Sequence, residues 1–131
     1  MKKVISASGK RKRAVARAYL KDGQGIIKVN NVNLDNFEPN ICRMKILEPL
    51  ILAGDKAKKV NISVTVVGGG VVGQAEAVRL AVARALAEYD KSLESVYLEY
   101  DRNLLVADVR RNEPHKPNRS KPRAKRQKSY R

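Results

Sequence analysis

Val60, Ile62, Val64 and Val66 alternate with Asn61, Ser63 and Thr65, the period-two pattern of a strand with one buried face. Residues 13–20 alternate in the same way, with Val15, Arg17 and Tyr19 opposing Ala14, Ala16, Ala18 and Leu20, so a second strand is expected there. A third is expected over 3–7, leaving the basic Ser8-Gly9-Lys10-Arg11-Lys12 as a loop or strand edge between them. Asp22-Gly23-Gln24-Gly25 predicts a turn, and residues 26–29 the returning strand of a hairpin. Asn30-Asn31 permits a second tight turn, because asparagine tolerates positive φ.

The period changes over 74–89, which is rich in Ala and Leu and places Arg79, Arg84 and Glu88 on the outer side of a helix. A second helix is expected over 92–100, although its Val and Tyr would also suit a strand. Residues 40–47 and 49–53 read as two short helical turns, since Pro49 fits the first turn of a helix better than its interior. The order β-β-β-α-β-α-α predicts an α+β fold of two layers, a sheet backed by helices. No internal repeat is visible.

Charge alters this picture at both ends. Of the net +15, residues 1–21 contribute +8 and residues 110–131 contribute +9, while 22–109 is slightly acidic at −2. Residues 110–131 hold ten Lys or Arg against Glu113, and from Asn112 onward contain no Val, Ile, Leu, Met or Phe. Such a segment cannot bury enough apolar surface to offset the entropy of ordering, so alone in water it is expected to be disordered. Pro114, Pro117 and Pro122 bias it toward extended conformations. The organisation expected is therefore a globular body over 1–109 and an extended basic tail over 110–131. Charge that serves only solubility is scattered over a surface; clustering at both ends is the footprint of phosphate contacts.

Other classes fall away. Cys42 is the single cysteine and His115 the single histidine, which excludes an intrachain disulfide and a cysteine-rich metal site. A His-assisted nucleophile is equally unsupported, as His115 lies in the basic tail. No apolar run reaches membrane-spanning length and no signal peptide is evident, so a cytoplasmic protein without membrane association is expected. The remaining acids, including Glu94, Glu99, Asp101 and Asp108, show no acid–base pairing and read as solvated positions or partners of nearby arginines. No cofactor, metal or catalytic activity is expected.

Gly68-Gly69-Gly70-Val71-Val72-Gly73 does match G-x-G-x-x-G after a strand and before a helix, with Asp90 twenty residues beyond Gly70. A dinucleotide site would place that acid at the end of a second parallel strand, whereas Asp90 directly follows a helix, and too little chain remains for further βαβ units. A phosphate loop would need Lys-Ser/Thr where Gln74-Ala75 stands. The glycines allow a sharp turn. Bare N–H groups at a helix start also suit a nucleic-acid phosphate.

Three segments together resemble the small-subunit ribosomal protein family called "S nine". They are Ser8-Gly9-Lys10-Arg11-Lys12-Arg13-Ala14-Val15-Ala16-Arg17, the run from Gly68 through Gln74-Ala75, Arg79 and Ala83-Arg84-Ala85-Leu86 to Tyr89-Asp90, and Asp108-x-Arg110-Arg111-x-Glu113-x-x-Lys116-Pro117. The ending Gln127-Lys128-Ser129-Tyr130-Arg131 is similar to the archaeal and eukaryotic branch, with a compact length that favours an archaeal source; Tyr130 departs from the bacterial pattern. The resemblance implies a fold like the second domain of ribosomal protein "S five". It implies a structural role in the head of the cytoplasmic small subunit, on small-subunit rRNA and beside neighbouring ribosomal proteins. It also implies a tail that reaches P-site tRNA during translation, a role carried onto Arg131 with Lys128 nearby. The rRNA contacts are expected at Lys10, Arg11, Lys12, Arg13, Arg17, Gly69 and Gly70, and along the tail at Arg110, Arg111, Lys116, Arg119, Lys121, Arg123, Lys125 and Arg126. The alternatives are a free nucleic-acid chaperone, for which charge alone suffices, and a nucleotide-binding enzyme using the Gly68–Gly73 loop.

Overall fold

The computed structural model describes residues 4–34 and 40–106; the expected tail, with all its candidate contacts from Arg110 to Arg131, lies outside the described residues. Strands β1 (Ile5–Arg11), β2 (Ala14–Asp22), β3 (Ile27–Val29) and β4 (Val32–Asn33) precede helix α1 (Asn40–Ala53) and a 3-10 segment (Gly54–Lys59). Strand β5 (Val60–Val67), helices α2 (Val71–Tyr89) and α3 (Ser92–Tyr100), and a last 3-10 turn (Arg102–Leu104) complete the body. The fold is α+β, with one mixed five-stranded sheet in the order β1-β2-β5-β3-β4.

The hairpin expected between β2 and the 26–29 strand does not form. Strand β5 lies between them, antiparallel to β2 and parallel to β3. The cause is local. The glycine turn wraps around the start of β5, with Gly23 N–H donating to the Lys59 carbonyl at 2.9 Å and Gly25 N–H to Val60 at 3.0 Å. The Asn61 side-chain oxygen accepts from Gln24 N–H at 2.9 Å and Ile26 N–H at 3.1 Å, so the chain is delivered to the far side of β5. Asn30, at φ 51°, then prolongs the β3–β5 ladder with its side chain: Oδ1 accepts from Val66 N–H at 2.9 Å, and Nδ2 donates to the Val66 carbonyl at 3.1 Å. Asn30-Asn31 is the tight turn expected, and it leads into the short β4.

The two helical turns expected around Pro49 are one helix, α1, with the proline inside. Its buried positions, Cys42, Ile46, Pro49, Leu50 and Ala53, recur at helical spacing across the proline. Burying that continuous stripe outweighs the backbone bond the missing N–H forfeits. The Tyr97 hydroxyl donates to the Pro49 carbonyl at 2.8 Å, fastening α3 to α1, and burial pushes that hydroxyl's pKa upward.

Helix α2 lies against β1 and β2. Both surfaces are small-residued: Ala14, Ala16 and Ala18 from the sheet, and Ala75, Ala77, Ala81 and Ala85 from the helix, all buried. At Gly9 a Cβ would stand 2.4 Å from the Ala77 carbonyl oxygen, so helix and strand approach as closely as glycine allows. Arg79 and Arg84, expected on the outer side of α2, are drawn inward. Arg79 bonds Glu48 at 2.7 Å and Asp101 at 3.2 Å, while Arg84 donates to the Leu105 and Ser8 carbonyls, each at 2.9 Å. These arginines tie helices, sheet and C-terminal turn together.

Candidate nucleic-acid interface

The β1–β2 connection is only two residues long, Lys12-Arg13, with Lys12 at φ 54°. Both side chains stand at the surface. The glycine loop lies directly against this turn. A Cβ at Gly68, φ +80°, would be 2.5 Å from the Arg13 carbonyl oxygen, and one at Gly69 would be 3.1 Å from the Ala14 backbone nitrogen. The basic segment and the glycine loop, fifty-odd residues apart in sequence, therefore form one concave site. Arg11, Lys12, Arg13, Gly69, Gly70 and Gly73 line a recess of about 370 Å³ there, together with Val72 and the ion-paired Glu76.

Backbone geometry divides the glycines by role. Gly68 and Gly69 hold positive φ and touch the turn, so they build the loop. Gly70 is extended at φ −93° with nothing within 4 Å of where a Cβ would lie. Sequence reasoning treats all three alike. Gly70 caps α2 without any side-chain hydrogen bond, so the first-turn N–H groups of a nineteen-residue helix open onto the recess without a side-chain cap. Helix-start amides and two surface cations in one concavity are suited to a phosphate oxygen.

Arg11 is placed differently from its neighbours. Its Nε lies 2.5 Å from Glu76 Oε2, its side chain is only 14% exposed, and Lys45 Nζ meets the other Glu76 oxygen at 3.1 Å. Desolvation raises the Glu76 pKa, but the hydrogen bonds from Arg11 and Lys45 more than reverse this and hold it below the ordinary value. A depressed folded-state pKa adds stability that is complete above the ordinary value, 4.5, and is lost as pH falls through the lower folded value. Glu76→Gln is thus expected to lower stability by about 1 kcal/mol at pH 7. It should also flatten the acid limb of a pH–stability curve, measured by denaturant unfolding; parallel acid limbs for variant and wild type would rule the triad out as a stabilising element.

Arg17 and Lys10 lie elsewhere. They stand on the helix-free face of the sheet, where Arg17 registers with Ser8 and Thr65, and Lys10 with Val15. Asp90, the acid a dinucleotide site would require, instead accepts from the Ser92 N–H at 3.0 Å and its hydroxyl at 2.8 Å, and pairs with Lys56. Those contacts, led by the Lys56 bond, hold its pKa down at about 2. No strand follows α2 among the described residues.

The family model described as ribosomal protein S9/S16 matches residues 9–131, almost the whole chain. The chain belongs to that family. Its members are ribosomal structural proteins, not enzymes. A protein of Methanothrix thermoacetophila named small ribosomal subunit protein uS9 is 51% identical over 131 residues, covering 98% of this chain and 99% of its own. A Methanococcus maripaludis protein of the same name is 47% identical over 133 residues at the same coverage. As a family member, the chain places its basic turn and glycine loop in one recess, and the family match extends beyond it through the C-terminal basic segment.

Proposed function

We propose that this protein is a structural component of the small ribosomal subunit, in its head, where it binds small-subunit rRNA and supports P-site tRNA. The observation that carries the rRNA contact is the joining of Lys12-Arg13 to the Gly68–Gly70 loop at the start of α2. Arg11 adds cationic character beside it, through a guanidinium shared with Glu76, while Lys10 and Arg17 meet rRNA from the helix-free face of the sheet. Residues 110–131 form a second element, an extended basic tail beyond the body, with Arg110, Arg111, Lys116, Arg119, Lys121, Arg123, Lys125 and Arg126 on rRNA phosphates. The α+β body is of the kind found in the second domain of ribosomal protein "S five", and the relatives' names support the assignment to the small subunit.

Lys128 and Arg131 are assigned to P-site tRNA. Twenty extended residues from Asn112 span up to about 65 Å, enough to leave a globular body for a distant site. A guanidinium offers a planar fork matched to phosphate oxygens, and backbone contact positions a ligand without reading its sequence. Arg131→Ala is expected to leave subunit assembly intact and weaken P-site tRNA binding by about 1–3 kcal/mol, similarly for all tRNAs. Arg131→Lys should recover part of the loss. Filter binding of several tRNAs to purified subunits tests this, and undiminished affinity would refute the tRNA contact while leaving the rRNA role standing.

A further inference from the structure

Among the described residues, the helices cover one face of the sheet. On the other, one row crosses all five strands, from Ser6 through Tyr19, Ser63 and Lys28 to Asn33. Arg17 lies in the adjacent row between Ser8 and Thr65, Lys21 registers with Asn61, and Lys10 with Val15. Four cations, Lys10, Arg17, Lys21 and Lys28, thus share this face, all exposed. Asp22 alternates to the opposite side, opposite Val60, and no carboxylate stands on the face among the described residues.

A solvated sheet face is ordinary in an antiparallel sheet, and would carry charges of both signs. Here the sorting is strict. The ion pairs of Arg11, Lys45, Lys56, Lys58 and Arg79 all lie off this face, whereas none of its four cations pairs with a carboxylate among the described residues. Tyr19 is 42% exposed in the middle of the cationic set, and with Arg17, Ser6 and Ser8 it lines a shallow recess of about 300 Å³. Cations spaced along strands match successive phosphates, hydroxyls match phosphate or ribose oxygens, and an exposed aromatic ring offers a platform to an unpaired base.

We infer that the open sheet face is a second RNA-binding surface, separate from the turn-and-glycine recess, which takes a single-stranded rRNA segment with one base stacked on Tyr19. The inference rests on the ribosomal role proposed above. It places rRNA on both sides of the β1–β2 hairpin.

The test uses the full chain with a small-subunit rRNA transcript. Tyr19→Ala is expected to weaken binding on the order of 5- to 150-fold, the range for losing one stacked base, while Tyr19→Phe binds as wild type does. The double change Lys21→Gln and Lys28→Gln should lower the log–log salt slope by roughly 1.4 to 1.8. In reconstituted subunits, ultraviolet cross-linking should yield a nucleotide adduct at Tyr19. All these side chains are exposed, so unchanged melting curves will show the variants folded. Wild-type affinity for Tyr19→Ala, an unaltered slope for the lysine variant, or a Tyr19 cross-link to protein instead of RNA would overturn the inference. If such results accompany a normal loss of slope for Lys12→Gln with Arg13→Gln, only the sheet face falls; if the chain fails to enter subunits, the ribosomal role falls with it.

Discussion

Replacing Gly9 with valine is expected to destabilise the body severely. A Cβ there would lie 2.4 Å from the Ala77 carbonyl oxygen and 2.7 Å from the Ala81 nitrogen, and both are backbone atoms in the middle of α2. No rotamer change relieves such a contact, so β1 and the helix must separate. Overpacking of this kind costs about 3 kcal/mol or more, which for a body this size lowers the melting temperature by roughly 12–24 °C. Gly9→Ala should already show much of the loss. Gly70→Ala is the matched control: an extended glycine with free space around it should melt within a few degrees of wild type. Circular dichroism melts of the three proteins decide the matter, and a Gly9→Ala protein as stable as wild type would show that α2 does not seat against β1 as closely as described.

Removal of residues 110–131 should change RNA binding more than any substitution in the body. The segment holds ten of the twenty-eight Lys and Arg, and each phosphate neutralised contributes roughly 0.7 to 0.9 to the slope of log affinity against log salt. Contact by even half of these cations removes about 4 from that slope, against at most about 1.8 for neutralising Lys12 and Arg13 together. Titrations of small-subunit rRNA at several salt concentrations give both numbers. An identical slope for the truncated chain would mean that the basic segment touches no phosphate.

Alternation located β5 and β2, because each buries one face along most of its length, and the Ala- and Leu-rich run over 74–89 located α2. Strand order was not legible. It depends on Asn61 and Asn30, whose amide groups complete backbone ladders; a polar residue in a strand looks solvated until its partner is known. Pro49 misled for a related reason, since local propensity pointed to a break and burial of α1 overruled it. At the candidate site, the basic segment and the glycine loop were both visible as motifs, but their adjacency is tertiary. The inward arginines were misplaced because long side chains on a helix flank reach partners on other elements. Lys21 and Lys28 joined the candidate surface only once the register set them on the same face as Tyr19.

The position of β5 has a consequence for the order of events when the chain is made. Ribosomes build proteins from the N-terminus, and the β1–β2 hairpin, closed by a two-residue turn, can form from its own residues alone. Strands β3 and β4 follow immediately in sequence and pair with each other, yet β3 reaches the rest of the sheet through residues 60–67. Until that stretch leaves the exit tunnel, the β3–β4 ribbon has no sheet to join, and the Asn30 amide and the glycine turn have no ladder to complete. Contacts between residues far apart in sequence form late because a long loop must close first. The middle strand of the finished sheet is therefore the last to be synthesised, and its arrival converts a lone hairpin and a trailing ribbon into one domain.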